Sequence, residues 1–368
     1  MFLTLIVFFL LLSLLVLVHE IGHFVAAKRF GILVEEFGFG LPPRIWGKKI
    51  GETVYSINAL PIGGFVKLYG EEGEENEKDS QLKNRTFYNR PAWQRCVVLI
   101  AGVTMNFILA LVVLSYLFTQ GVFVPARRVH IEKISDQSPA QEAGLAPNDI
   151  ILSLDDHPIS TNEDLIVHTQ KVLGKDVSMV VLRGANFDRA IKEGKCLNCK
   201  EISVLLTPRK DAPAGQGPIG IAISNYEQRV YSWYQAPVQG IKEAVFLSGE
   251  LVKGLSKTVW KLITFQSVGR DVAGPIGIAQ ATGQAVKFGN LAVLELLGLL
   301  SLNLAIVNIL PFPALDGGRL LFVTIEVLFG RRIKTHWERN VHQIGMAILL
   351  GLILLVTVND ILRILGKV

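Results

Sequence analysis

The sequence predicts an α-helical integral membrane protein with four transmembrane helices, a β element dipping into the membrane, and one inserted extracytoplasmic α/β domain. Three observations predict it. Half of the 368 residues are apolar and only 19% are charged, a balance foreign to ordinary soluble domains. The stretches 1–18, 96–118, 296–315 and 344–358 carry no charge at all, and a helix needs about 20 apolar residues to cross the hydrocarbon. Lysines and arginines gather in two places, 28–95 and the short segment before the last apolar block.

The first apolar run reads as a retained span and not as a cleaved leader. Nothing basic precedes its core, whereas Lys28 and Arg29 follow it, the reverse of a secretory signal. Arg44, Lys48, Lys49 and Lys67 in the first cluster, with Arg319, Arg331, Arg332 and Lys334 in the second, place both clusters in the cytoplasm. Both termini and the long segment 120–290 then lie outside. The net charge of +5 belongs to this topology, and no nucleic-acid partner is expected.

Residues 31–95 mix glycine with β-branched and aromatic residues, as in "GFGFGLPPRIWGKK" and "YSINALPIGGFVKLYG", which predicts short strands and tight turns. Their apolarity suggests that they dip into the lipid, where protein or a cavity must satisfy the backbone. The acidic run 71–79 reads as a solvated loop.

Between 122 and 211, strands are expected at Val129–Ile134, Asp149–Leu154, Asp176–Arg183 and Glu201–Thr207, with a helix over Asn162–Val172. Cys196 and Cys199 form a CxxC there; a hairpin staple or two free thiols fits better than half a zinc site. Cys96, at a membrane boundary, reads as packing. Residues 238–263 place Ile241, Val245, Val252, Leu255, Val259 and Leu262 at helical spacing against lysines and glutamates, an amphipathic helix lying on the membrane or on the protein. The resulting boundaries are a first transmembrane helix over 1–29, a cytoplasmic or membrane-dipping β region over 30–95, and a second helix over 96–119. The domain follows over 122–211, a linker over 212–290, a third helix over 291–316, a cytoplasmic loop over 317–340 and a fourth helix over 341–362.

Chemistry concentrates at the inner end of the first span. His19 and His23 are four residues apart, so their rings share one helix face and can hold one metal ion. Glu20 stands beside them, within reach of a metal-bound water. Ionisable groups next to hydrocarbon are costly and point to function; the bland alternative is a polar helix end. Zinc usually takes a third protein ligand and keeps a fourth position open. Asp316 is the candidate, in "NLAIVNILPFPALDGGR" (303–319), where Pro311 and Pro313 break the helix. Asp316 also reads as a helix N-cap followed by glycine punctuation. His130, His157, His168, His336 and His342 read as ordinary polar residues.

Two stretches resemble known families. "SPAQEAGLAPNDIILSLDDHPI" resembles a PDZ domain of the bacterial protease-associated kind, departing at Asn148, where glycine is usual. His19-Glu20-x-x-His23 together with Asn308-x-x-Pro311-x-Pro313-x-Leu315-Asp316-Gly317 resembles the site-2 protease family of intramembrane zinc metalloproteases, in the layout of its bacterial regulator-of-sigma-E type. The resemblance implies one Zn²⁺ per chain held by His19, His23 and Asp316, with Glu20 as general base. It implies that Asn303 and Asn308 hold substrate near the metal, and that the strand containing Gly63, Gly64 and Phe65 pairs with it. It further implies cleavage of single-span membrane proteins, such as anti-sigma factors or remnant signal peptides, in a bacterial inner membrane, with peptide or substrate termini met at the PDZ domain. An inactive membrane-anchored PDZ adaptor is the alternative, and the complete ligand set argues against it.

Overall fold

The computed structural model describes residues 2–71, 82–184, 200–213, 215–264, 274–333 and 335–364. It divides into two compact units, one of Met1–Leu117 with Tyr234–Val368 and one of Phe118–Trp233. Cys196, Cys199 and most of the acidic run fall outside the described residues.

In the first unit, α1 (Phe2–Arg29) leads into two long paired strands, β1 (Val34–Ile50) and β2 (Thr53–Leu68). Both strands bend. Phe37 lies opposite Val66 and also opposite Tyr55, while Lys48 pairs with Tyr55. The segment 64–68 therefore has a strand neighbour on one side only. After α2 (Ala92–Gln120), the second unit intervenes in the sequence, and the chain returns with α5 (Ala236–Ile263), α6 (Pro275–Phe288), α7 (Asn290–Ile309), α8 (Asp316–Phe329) and α9 (Thr335–Ile364). Among the described residues, four helices are long and apolar enough to cross a membrane: α1, α2, α7 and α9.

Apolar side chains give helices in lipid no net drive to associate, so close packing and buried polar ties must do it. A Cβ on Gly22 of α1 would collide with the Ala101 carbonyl of α2, so the two backbones touch there. Ser301 Oγ of α7 donates to the Asn106 carbonyl of α2 at 2.7 Å. Arg95 of α2 pairs with Glu326 of α8 at 2.7 Å, and Arg332 joins them at 3.1 Å. Asp360 of α9, almost wholly buried, accepts the N–H groups of Gly274 and Gly277 at 3.0 and 2.8 Å, capping α6.

The second unit is a six-stranded sheet in the order β7-β6-β4-β3-β8, with β5 paired to β4. Its strands are β3 (Val122–Ile134), β4 (Ile150–Leu154), β5 (His157–Pro158), β6 (Val177–Arg183), β7 (Lys200–Leu206) and β8 (Ile221–Arg229), with the short helix α3 (Pro139–Glu142) and α4 (Asn162–Lys171). Val129, Ile131, Ile151, Met179 and Val181 alternate into its core with Leu165 of α4. A capping box of Thr161 and Asp164 starts α4; hydrogen bonds from Thr161 and from the Ser160 and Thr161 amides pull the Asp164 carboxyl below its usual range. Asn148 occupies the left-handed region at φ 70°, which asparagine tolerates better than most residues, so it serves where glycine was expected. Asp149, almost wholly buried, pairs with Arg183 and accepts the Ala146 N–H at 2.8 Å, holding the guanidinium above its usual range.

Several boundaries differ from the expectation. The unit extends to Trp233, because β8 pairs with β3 and covers a sheet edge that four strands would have left open. The expected third span ends at Ile309 and not at 316; Leu310–Leu315 form a turn. The expected loop 317–340 contains most of α8, whose apolar positions recur at helical spacing despite its charged ends.

Asp149→Ala removes a buried acceptor and leaves the Ala146 amide without its partner, a loss of about 2 kcal/mol. Hydrogen exchange at the amides of β4 and β6 should accelerate roughly 30-fold, and unchanged protection would remove this pair from the unit's support.

Candidate functional site

The face of α1 that meets α2 carries both histidines, and both are buried. One helical turn brings their ring centroids to 4.7 Å and their Nε2 atoms to 3.1 Å. The turn before α8 carries Asp316 to the same point: its Oδ2 lies 2.9 Å from His19 Nε2 and 3.3 Å from His23 Nε2. A tetrahedral ion with bonds of about 2.05 Å spaces its ligands about 3.3 Å apart, so the three separations suit a single small cation. Among the described residues, this is the group of three or more histidine, cysteine or acidic side chains that could hold a metal.

Asp316 is the first residue of α8, not its cap; Leu315 takes that position and makes no side-chain capping bond. The glycines after it serve close approach. A Cβ on Gly317 would strike the Ile309 and Leu310 carbonyls, and one on Gly318 the Phe312 carbonyl. The turn can therefore fold tightly onto the start of α8.

The outer nitrogens decide whether these imidazoles suit a metal, because a ligating Nε2 must be unprotonated and its Nδ1–H then needs an acceptor. His23 Nδ1 donates to the Val98 carbonyl of α2 at 2.8 Å. His19 Nδ1 lies 3.3 Å from the amide of Asn106, a side chain wholly buried whose Oδ1 has no partner among the described residues. Turning that amide end for end lets Oδ1 accept the His19 Nδ1 proton. Both Nε2 atoms are then free to ligate, and the donor set fits zinc.

Glu20, one residue on from His19, accepts the Val66 N–H of β2 at its Oε2, at 3.0 Å. It lines a cavity of about 420 Å³ together with His23, Phe65, Val66, Asp316 and Arg319. Gly63, at φ 74°, sits against Val16 of α1, and Gly64 lies beside the Glu20 side chain. Asn308 approaches the cluster, its amide 3.4 Å from His19 Nε2. Asn303 is exposed on the same helix and makes no hydrogen bond to the histidines or to Asp316 among the described residues.

Sequence reasoning missed Asn106 and the role of α2. The signal was present: an asparagine in an uncharged span, four residues after Gly102, is an intramembrane polar group beside a close-packing position. A Cβ on Gly102 would collide with His23 Nε2 and approach His19 Cε1 to 2.8 Å.

Apolar helices of spanning length around a buried two-histidine, one-carboxylate donor set with an adjacent glutamate define a membrane-embedded metallopeptidase. Residues 7–352 match the model of peptidase family M50. The chain is 30% identical to the regulator of sigma-W protease RasP of Bacillus subtilis, covering 98% of both proteins. It is 31% identical to the zinc metalloprotease RasP of Bacillus licheniformis, over 98% of this chain and 99% of that one. The chain belongs to peptidase family M50, the site-2 protease family, and is a zinc-dependent intramembrane metalloendopeptidase.

Gly102→Ala should drive the two imidazoles apart while leaving the helices intact. The purified protein should lose at least half of its bound zinc by elemental analysis; full stoichiometry would show that the approach of α2 is not needed.

Proposed function

We propose that this protein cuts the membrane-spanning segments of single-span proteins at a zinc ion held by His19, His23 and Asp316, with Glu20 as general base. The observation that carries the reading is the convergence of the three ligand atoms within hydrogen-bond distance, across 297 positions of sequence.

Zinc bound there supplies a Lewis acid for the scissile carbonyl and lowers the pKa of a water molecule. The chain's own residues do the rest. Glu20 is held at Oε2 by the Val66 amide, which leaves Oε1 to take the water proton and pass it to the departing amine. Val98 and Asn106 fix the two imidazole rings by their outer nitrogens. The Asn308 amide lies beside His19, where it supplies a donor to the oxyanion. Asn303 serves farther out, holding the substrate helix.

A transmembrane helix hides its carbonyls in its own hydrogen bonds, so it must unwind before attack. Each freed backbone group then needs a partner in hydrocarbon. The segment 64–68 has an open side and lies against the cavity; strand addition there receives the unwound chain, with Gly63, Gly64 and Phe65 at its entry. The sheet dips into the inner membrane from the cytoplasmic side, where Lys28 and Arg29 end α1, and both termini lie outside with the second unit.

That unit is a PDZ-type domain. A small groove of about 90 Å³ runs between Leu165, Ile166 and Thr169 of α4 and the Gly217–Ile221 segment entering β8, the place where an extended peptide or a substrate terminus would lie. Substrates already trimmed outside, such as anti-sigma factors and signal-peptide remnants, fit a filter of this kind. The complete donor set of His19, His23 and Asp316, with Glu20 beside it, argues against an adaptor without catalysis.

Glu20→Gln should retain zinc and fold while cleavage of a one-span substrate in detergent falls by at least a thousandfold; wild-type turnover in that variant would refute the base assignment. Asp316→Asn should weaken zinc binding 10- to 100-fold by chelator competition, and a protein still carrying one tightly held ion would take Asp316 out of the ligand set.

A further inference from the structure

We infer that His342 of α9 is a positioning residue for the metal site: it holds the turn that delivers Asp316. The inference rests on the zinc reading above. Ala314, two residues before Asp316, has φ 80°, a left-handed conformation that is strained for an alanine. Something outside the turn must hold it. The Ala314 N–H donates to His342 Nδ1 at 2.9 Å, so this bond comes from a helix that follows the turn by some twenty residues.

Two further contacts make α9 a cradle for that turn. The His342 ring packs on Phe322 of α8 at 5.6 Å between centroids, tying it to the helix that Asp316 begins. Gly345 lies three residues on, on the same face of α9, and a Cβ there would collide with Pro313. One face of α9 therefore holds Pro313 by contact and Ala314 by a hydrogen bond.

The chemistry of the bond fixes the ring. Nδ1 accepts, so the neutral imidazole carries its proton on Nε2. That nitrogen is buried and has no hydrogen-bond partner among the described residues, an arrangement that costs stability. A leucine would fill the space without this cost. The imidazole supplies the acceptor at Nδ1, and the acceptor serves the turn.

Zinc affinity tests this directly, by chelator competition on the full-length protein in detergent. The variants are His342→Asn, whose Oδ1 stands where Nδ1 does, His342→Leu, which fills the space without an acceptor, and Gly345→Ala. Gly351→Ala, where a Cβ meets nothing within 4 Å, is the control. The expected result is a 10- to 100-fold loss for His342→Leu and Gly345→Ala, with His342→Asn and Gly351→Ala within about threefold of wild type. Equal losses in the asparagine and leucine variants, or unchanged affinity in Gly345→Ala, would overturn the inference. Should His342→Leu fail to fold, Gly345→Ala against Gly351→Ala decides alone. A wild-type protein that bound no zinc would instead overturn the metal reading itself.

Discussion

Two imidazole nitrogens 3.1 Å apart, with a carboxylate oxygen 2.9 and 3.3 Å from them, sit among helices built for hydrocarbon. Such a group is expensive there unless its charges and protons balance. Much of the first unit can be read as the means of balancing it. Val98 and Asn106 take the outer imidazole protons, glycine at 22 and 102 lets α2 come near enough to do so, and the turn at 310–315 delivers the negative charge of Asp316. Apart from Gly22, none of these partners adjoins the histidines in sequence, so the helices must be packed before the ligand set exists.

The helix ties serve the same end. Arg95 and Arg332 converge on Glu326, ten residues beyond Asp316 on α8, which limits how far that helix can slide along α2. Ser301 anchors α7 to the backbone carbonyl of Asn106, whose side chain meets His19, so one residue serves two neighbours. These ties are polar because polar contacts and small-residue packing are what hold helices together in lipid.

The helices and the HExxH were legible because both are local: an uncharged run, and a four-residue spacing that needs only one turn of helix. The alternating strands of the second unit were legible for the same reason. What could not be read depends on partners remote in sequence. β8 was hidden in a linker because its role is to pair with β3, some ninety positions earlier. Asp316 was ambiguous between cap and ligand until its distance to the histidines was known. His342 looked like an ordinary membrane-edge residue, since only the left-handed alanine at 314 gives its Nδ1 a purpose.

The open side of 64–68 carries a further consequence. On an edge strand only alternate amides face outward, and two of those here are already spoken for: Val66 by Glu20 at 3.0 Å and Leu68 by Glu71 at 3.4 Å. On the proposed strand addition, an arriving chain pairs around these carboxylates, so the bond that aims the base also limits which outward amides the chain can take. Because outward amides recur every second residue, a chain that slips along this edge does so by two. Under that proposal the scissile bond would be chosen from a comb of alternate positions, with the spacing of the teeth set by the pleat.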